Sequence, residues 1–343
     1  KEIKNRCHRE LLCGVAIRIP RPYKETDSHG SATLGMTNGK KGAMIMLRIS
    51  KEFVTDNCSP KNPPVARCQS GDTVMFETRD CYDDRLCGDG TVIEPEKALE
   101  NPATGPLYVE GAQPGDVLKV HIDKITINPT GLMRCSTSAG AFNDLVEYRK
   151  VRQFDTTGEY IQFTDKLKLK IDTMIGVIGT APGTDTVMTH TPGSHGGNMD
   201  CNKIVEGSTL YLPVNVPGAL LSMGDLHALM GDGEVMICGL ETGGEVTVTV
   251  EVVKGFPMPT PALSCRGKFY SIQSANTLDQ ASRKASRAML KFLQQVTPMD
   301  VYDCAMLLSL VGDLSVCQIV DPQLTVRMGI DQSILDAYEV KLP

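Results

Sequence analysis

The sequence predicts a mainly β protein, with sandwich-like, jelly-roll-like or barrel-like sheets and a smaller C-terminal α+β subdomain. Three observations carry that expectation. Several stretches alternate β-branched with polar residues, 32 Gly and 20 Pro break the chain into short segments, and helical periodicity is confined to the last quarter of the 343 residues.

Residues 1–43 are rich in basic residues, lack a clear period and pass through the small, polar run from Ser28 to Gly42, so they read as a leader or extension without an assigned role. A regular body, expected over 44–255, opens with a strand from Ile45 to Phe53 and a second at Thr73–Thr78 after the Pro-rich turn Ser59–Pro64. The segments Asp116–Ile127 and Gly244–Val253 alternate most cleanly, which predicts strands with one face buried and one wet. Weaker alternation marks Leu167–Ile171 and Thr209–Val214. Nothing supports a βαβ nucleotide-binding layout. From 256 the pattern changes: Thr277–Gln295 sets Ala, Leu, Met and Phe at helical spacing, a second helix is expected from Pro298 or Met299 to Leu310, and Cys317–Val320 and Leu324–Met328 read as strands.

A net charge of −6 and a pI near 5.6 leave no footprint for phosphate backbones, so nucleic acid is not an expected partner. Twelve cysteines in a chain of this length fall below the density of disulfide scaffolds, and Cys7/Cys13 and Cys81/Cys87 miss the CxxC spacing of zinc fingers. They are expected to be mostly reduced. The apolar stretch Leu11–Ile19 is short and interrupted by Arg18, and no run is long enough to span a bilayer, so the expected setting is cytoplasmic, without a membrane partner.

The densest polar clusters are Pro192–Asp200 and Gly224–Glu234. Glycines between His195 and Asp200 let the backbone turn tightly, and Asp225 and His227, two apart in an extended segment, point to one face. Imidazole and carboxylate suit zinc and related divalent ions, so His195, Asp200, Asp225 and His227 are candidate ligands. Asp80 and Glu110, each at a strand end, are further candidate oxygen ligands. Glu234, held after the turn Gly231–Gly233, is the candidate general base, and Asn198 a candidate for orienting substrate. Each has a plainer reading as a turn, cap or core residue. Cys201 is a weaker candidate nucleophile, because a residue next to Asp200 in extended chain faces the other way.

At these stretches the sequence resembles the acetamidase/formamidase family, through His195–Cys201, Gly207–Pro213, Gly224–Ala228 and Gly231–Val235. The flanking segments Asn101–Gly111, Pro114–Leu118, Leu307–Ser315 and Gln318–Pro322 are similar too. The resemblance implies a mainly β fold, hydrolysis of short amides such as formamide and acetamide to carboxylate and ammonia, and a divalent metal, zinc; calcium is a further candidate cofactor apart from the resemblance. It carries the metal and catalytic positions to His195, Asp200, Asp225, His227 and Glu234, with His227 counted in both roles. The expected mechanism is a metal-activated water, Glu234 as base, and an oxyanion held by the metal and by backbone N–H groups of Gly196–Gly197. Two alternatives stand beside it. One is a metal-free amidase with Glu234 or Cys201 as nucleophile, the other a non-enzymatic sheet protein binding calcium at Asp80–Asp84. A homodimer or higher homo-oligomer is the default assembly.

Overall fold

The computed structural model describes residues 46–93 and 99–343, so the leader expected over 1–43 lies outside the described residues. Two nine-stranded sheets dominate, accompanied by two separate two-stranded ribbons. The first runs in the order Leu47–Ile49, Thr73–Thr78, Gly244–Val253, Val117–Ile127, Thr209–Pro213, Ala262–Cys265, Lys268–Ala275, Leu324–Asp331, Asp313–Gln318. The second places Gly196–Asn198, Met174–Gly179, Leu221–His227, Glu241–Thr242, Thr130–Cys135 and Lys150–Asp155 side by side, with Ala103–Val109 also bonded to Leu221–His227. The mainly β expectation holds.

The main core lies between these sheets. Phe76, Val120, Ile122, Val246 and Val248 come from the first sheet, and Met174, Ile178, Leu221, Met223 and Leu226 from the second. The alternation in Gly244–Val253 and Val117–Ile127 is explained by that packing, since every second side chain enters the core and the intervening Thr, Lys and Glu meet solvent. The second sheet's central strands, Met174–Gly179 and Leu221–His227, are buried at every position, so their sequences are continuous rather than alternating.

Two helices follow. α1 (Leu278–Val296) is capped by the Thr277 hydroxyl, which accepts from the Gln280 N–H. It lays Ala281, Ala285, Met289, Phe292 and Leu293 against Phe269, Val326 and Met328 of the first sheet. A Phe292→Ala cavity there costs about 3–5 kcal/mol. α2 (Val301–Val311) starts later than expected because Asp300 is its cap, with its carboxylate accepting from the Tyr302 and Asp303 N–H groups. The change of character near 256 is a change of element type: the first sheet runs across it without a break.

Two expected strands differ. Of Ile45–Phe53, only Leu47–Ile49 is paired among the described residues, because the chain turns at Ser50, whose C=O accepts from Phe53. The strand expected at Cys317–Val320 is instead Asp313–Gln318. Its end is a turn in which Gln318 Oε1 accepts from the Val320 and Asp321 N–H groups, and that turn delivers Asp321 to the site described next.

Candidate active site and metal centre

The strand Leu221–His227 supplies the centre. Asp225 and His227 point the same way, as their spacing predicts, and His227 Nε2 lies 3.3 Å from Asp225 Oδ1. Strand pairing sets Glu241 directly opposite His227, and Glu241 Oε2 is 3.2 Å from the same nitrogen. Asp200, just beyond the strand Gly196–Asn198, brings Oδ1 to 3.8 Å. Glu234, also buried, and the half-buried Asp321, which faces Glu234, bring the group to five carboxyls.

Space for these oxygens comes from glycine. A Cβ at Gly176, on the neighbouring strand, would stand 2.5 Å from both Asp200 Oδ1 and Asp225 Oδ2, and one at Gly239 would stand 2.5 Å from His227 Nδ1. Asp200, Asp225 and Glu234 hold left-handed backbone, with φ of +42°, +55° and +46°. Such conformations cost on the order of 1–3 kcal/mol for ordinary residues and are concentrated at functional sites.

Burial pushes the Asp200 carboxyl well above the carboxylate range, and the Asp225 charge adds to it. Glu234 is raised for the same reason, with Asp200 as the next contributor, and Asp321 by burial and then Glu234. Burial also lifts Glu241 to about 7 against the opposing pull of His227. Asp225 goes the other way: burial raises it, but His227 and its hydrogen bonds hold it below the usual value. His227 is held well above a free imidazole despite burial, by Glu241 and Asp225. So many buried acids with one imidazole are strongly under-compensated.

The donor set fits a divalent cation. Both oxygens of Asp200, Oδ1 of Asp225 and Oε2 of Glu241, grouped about His227 Nε2, are buried and lack a well-aligned hydrogen bond. Among the described residues, Asp200, His227 and Glu234 offer donor atoms within 4.8 Å of one another, as do Cys81, Asp225 and Glu241. Unpaired buried oxygens are costly unless a cation takes them up. The centre opens into a cavity of about 500 Å3 lined by Asn198, Asp225, Glu234, Glu241 and Asp321, with Tyr82, Arg85 and Arg134 further out. Asn198 Nδ2 donates to Asp321 Oδ2 at 2.9 Å, which leaves its Oδ1 unpartnered.

Other sequence candidates sit elsewhere. His195 is buried between Gly193 and Gly197, its Nε2 unpartnered, and desolvation alone lowers its pKa to about 4. The left-handed Gly196 and Gly197 turn the chain after it, so Asn198 and Asp200 reach the cavity or centre while His195 is outside both donor groups. Glu110 pairs with Arg67 at 3.0 Å on the surface. Asp80 is buried and raised to about 6, chiefly by desolvation, and its Oδ1 accepts from the Tyr82 and Asp84 N–H groups as a turn cap. Asp83 and Asp84 face Arg79 and Lys51, so Asp80–Asp84 forms a cation-paired turn rather than a calcium cage. Cys201 is buried against Cys317 and does not line the cavity. The Gly196 N–H is bonded to the Gly193 C=O, which removes it as an oxyanion donor. Sequence reasoning missed Cys81, Glu241 and Asp321 as site residues. Only Asp321 had a signal, within the segment Gln318–Pro322.

Residues 49–191 and 183–336 match the Acetamidase/Formamidase family. An acetamidase of Mycolicibacterium smegmatis is 41% identical, over 57% of this chain and 65% of that protein. A putative formamidase of Schizosaccharomyces pombe is 27% identical, over 57% and 63%. The chain thus spans just under two thirds of the length of these curated relatives. Among solved structures, an acetamidase from Bacillus halodurans superposes with a TM-score of 0.81 at 42% identity, covering 86% of this chain and 100% of that one. A predicted acetamidase/formamidase from Thermoanaerobacter tengcongensis gives 0.83 at 37%, covering 87% and 99%.

Proposed function

The chain belongs to the acetamidase/formamidase family, and on that premise we propose that it hydrolyses the C–N bond of small linear amides, releasing carboxylate and ammonia. The observation that carries the reading is the convergence of His227, Asp200, Asp225, Glu234 and Glu241, several with unpartnered oxygens, beside a cavity that Asp225, Glu234 and Glu241 line.

His227, Asp200, Asp225 and Glu241 are the residues that would hold a divalent cation, with zinc the first choice for a set of imidazole and carboxylate donors. When bound, the cation supplies Lewis acidity toward the amide carbonyl and favours ionisation of water. Glu234 takes a proton from the attacking water as its oxygen forms the new bond to the carbonyl carbon. The same carboxyl then delivers that proton to the nitrogen as the C–N bond breaks, because ammonia leaves readily and an amide anion does not. A carboxyl raised by burial and by Asp200 suits both halves of that exchange. Asn198 is held by Asp321, so its free Oδ1 is oriented to accept from the substrate's NH2 group. We place the enzyme in the cytoplasm, consistent with ten described cysteines that are all free, and propose a homo-oligomer as its assembly; among the described residues no helix is long and apolar enough to cross a membrane.

The test is ammonia release from formamide, acetamide and propionamide, before and after a chelator and with zinc restored. Loss and recovery support the reading. Activity indifferent to chelation removes the metal, and no ammonia from any of the three removes the substrate class. Glu234→Gln should lower kcat about 10²–10⁴-fold while leaving bound metal in place.

A further inference from the structure

The turn Gly231–Gly233, which delivers the proposed base, is fastened to the edge of the first sheet. The Gly233 N–H donates to the Cys317 C=O at 2.9 Å and the Ile319 N–H to the Gly233 C=O at 3.1 Å, a parallel bridge at the end of the edge strand Asp313–Gln318. On the neighbouring strand Leu324–Asp331, Arg327 forks onto Asp232 in that same turn. Its Nη1 donates to Asp232 Oδ1 at 2.9 Å and its Nη2 to Oδ2 at 2.6 Å, while Nη1 also reaches the Val316 C=O at 3.3 Å. Arg327 is buried, yet it does not line the polar cavity, so it has no contact with a substrate there.

We propose that Arg327 is a positioning residue for the reaction: by forking onto Asp232 it fixes the turn in the conformation that aims Glu234 at Asp200 and His227. The inference rests on the amidase reading. Glu234 follows Asp232 by two residues and holds left-handed backbone at φ +46°, after Gly233 at +100°. Glycine takes such a conformation freely, but a glutamate keeps it only where the surroundings over-determine it. The turn's own contribution is small, since the Glu234 N–H meets the Gly231 C=O at a long 3.3 Å. What remains is the bridge at Gln318 and the Arg327 fork. A buried ion pair adds little net stability, whereas a planar guanidinium bonded through both arms fixes distance and direction together. A slip of about 1 Å at the turn would be carried to the carboxyl of Glu234, and displacements of that size cost on the order of 10²-fold in rate.

The experiment compares Arg327→Lys, Asp232→Asn and the double variant with the unsubstituted protein, metal-loaded, with acetamide as substrate. Lysine keeps the charge and loses the fork. Read-outs are kcat, KM, metal content, melting and amide hydrogen exchange. In Arg327→Lys, kcat should fall about tenfold or more, with KM within about threefold and metal content unchanged. Exchange over residues 231–238 should rise while that of Met174–Gly179 stays as it was. The double variant should fall no further than the worse single one, because both substitutions remove the same contact. Met289→Ala, which loosens the packing under α1 away from the turn, should keep kcat within about twofold. Should Arg327→Lys fail to fold, the exposed Asp232 still allows Asp232→Asn to be read alone. A smaller fall in the folded variants, losses that multiply in the double variant, unchanged exchange over 231–238, lost metal, or an equal loss in Met289→Ala each overturns the positioning role and leaves the amidase reading intact. No ammonia from the unsubstituted protein with any short amide overturns the amidase reading, and the positioning role with it.

Discussion

Gly176→Ala adds one methyl group and changes no titratable residue, yet it should disable the site. Gly176 has no left-handed φ that alanine would resist, so the backbone accepts the substitution. The new Cβ would stand 2.5 Å from Asp200 Oδ1 and Asp225 Oδ2 and 2.9 Å from the Asp225 carbonyl oxygen. A comfortable carbon–oxygen contact is roughly 3.3 Å, so both carboxylates must retreat by about 0.8 Å or the strand must bow. Displacements of about 1 Å at a catalytic constellation cost on the order of 10²-fold in rate. Overpacking a tight core costs about 1–3 kcal/mol. The expected outcome is a fall of about 10²-fold in kcat/KM for ammonia release and reduced metal content at equal protein concentration, with a Tm lowered by several degrees and a cooperative melt retained. Ammonia release within threefold of the unsubstituted protein would refute the claim that this glycine makes room for the two carboxylates.

His227→Ala should abolish both ammonia release and bound metal, read by elemental analysis; metal retained at full stoichiometry would remove His227 from the ligand set. Glu110→Ala should leave activity and metal unchanged and stability within about 1 kcal/mol, since its pair with Arg67 is solvent-exposed; loss of metal in that variant would restore Glu110 to the site. In metal-stripped protein, the raised Glu241 carboxyl binds a proton in the folded state that the unfolded chain releases at its ordinary pKa of about 4.5. Its contribution is therefore fully present below pH about 4.5 and lost as pH rises through about 7. Denaturant melts between pH 5 and 8 should show a decline on the order of 3 kcal/mol, flattened by added zinc, which takes the proton's place. Stability of the stripped protein that rises over this range would contradict the burial of these acids.

Much was legible in the sequence because it depends on short-range spacing. The alternation in Asp116–Ile127 and Gly244–Val253 fixed which faces enter the core, and the 3.6-residue period of α1 fixed the side that packs on the sheet. Asp225 and His227 were paired by the two-residue period of a strand, and Glu234 by its place after a tight turn. Tertiary structure alone decided the rest. Glu241 reaches His227 because their strands are paired in that register, Asp321 arrives on a turn anchored by Gln318, and Gly176 matters only because a third strand passes behind two carboxylates. The same long-range placement put Glu110 against Arg67 and turned Asp80 into a cap, although in sequence both resemble any strand-end carboxylate. A chain's local pattern states which side of an element a residue occupies. Which other element lies across from it is set by strand order and register, and those follow from how whole faces pack.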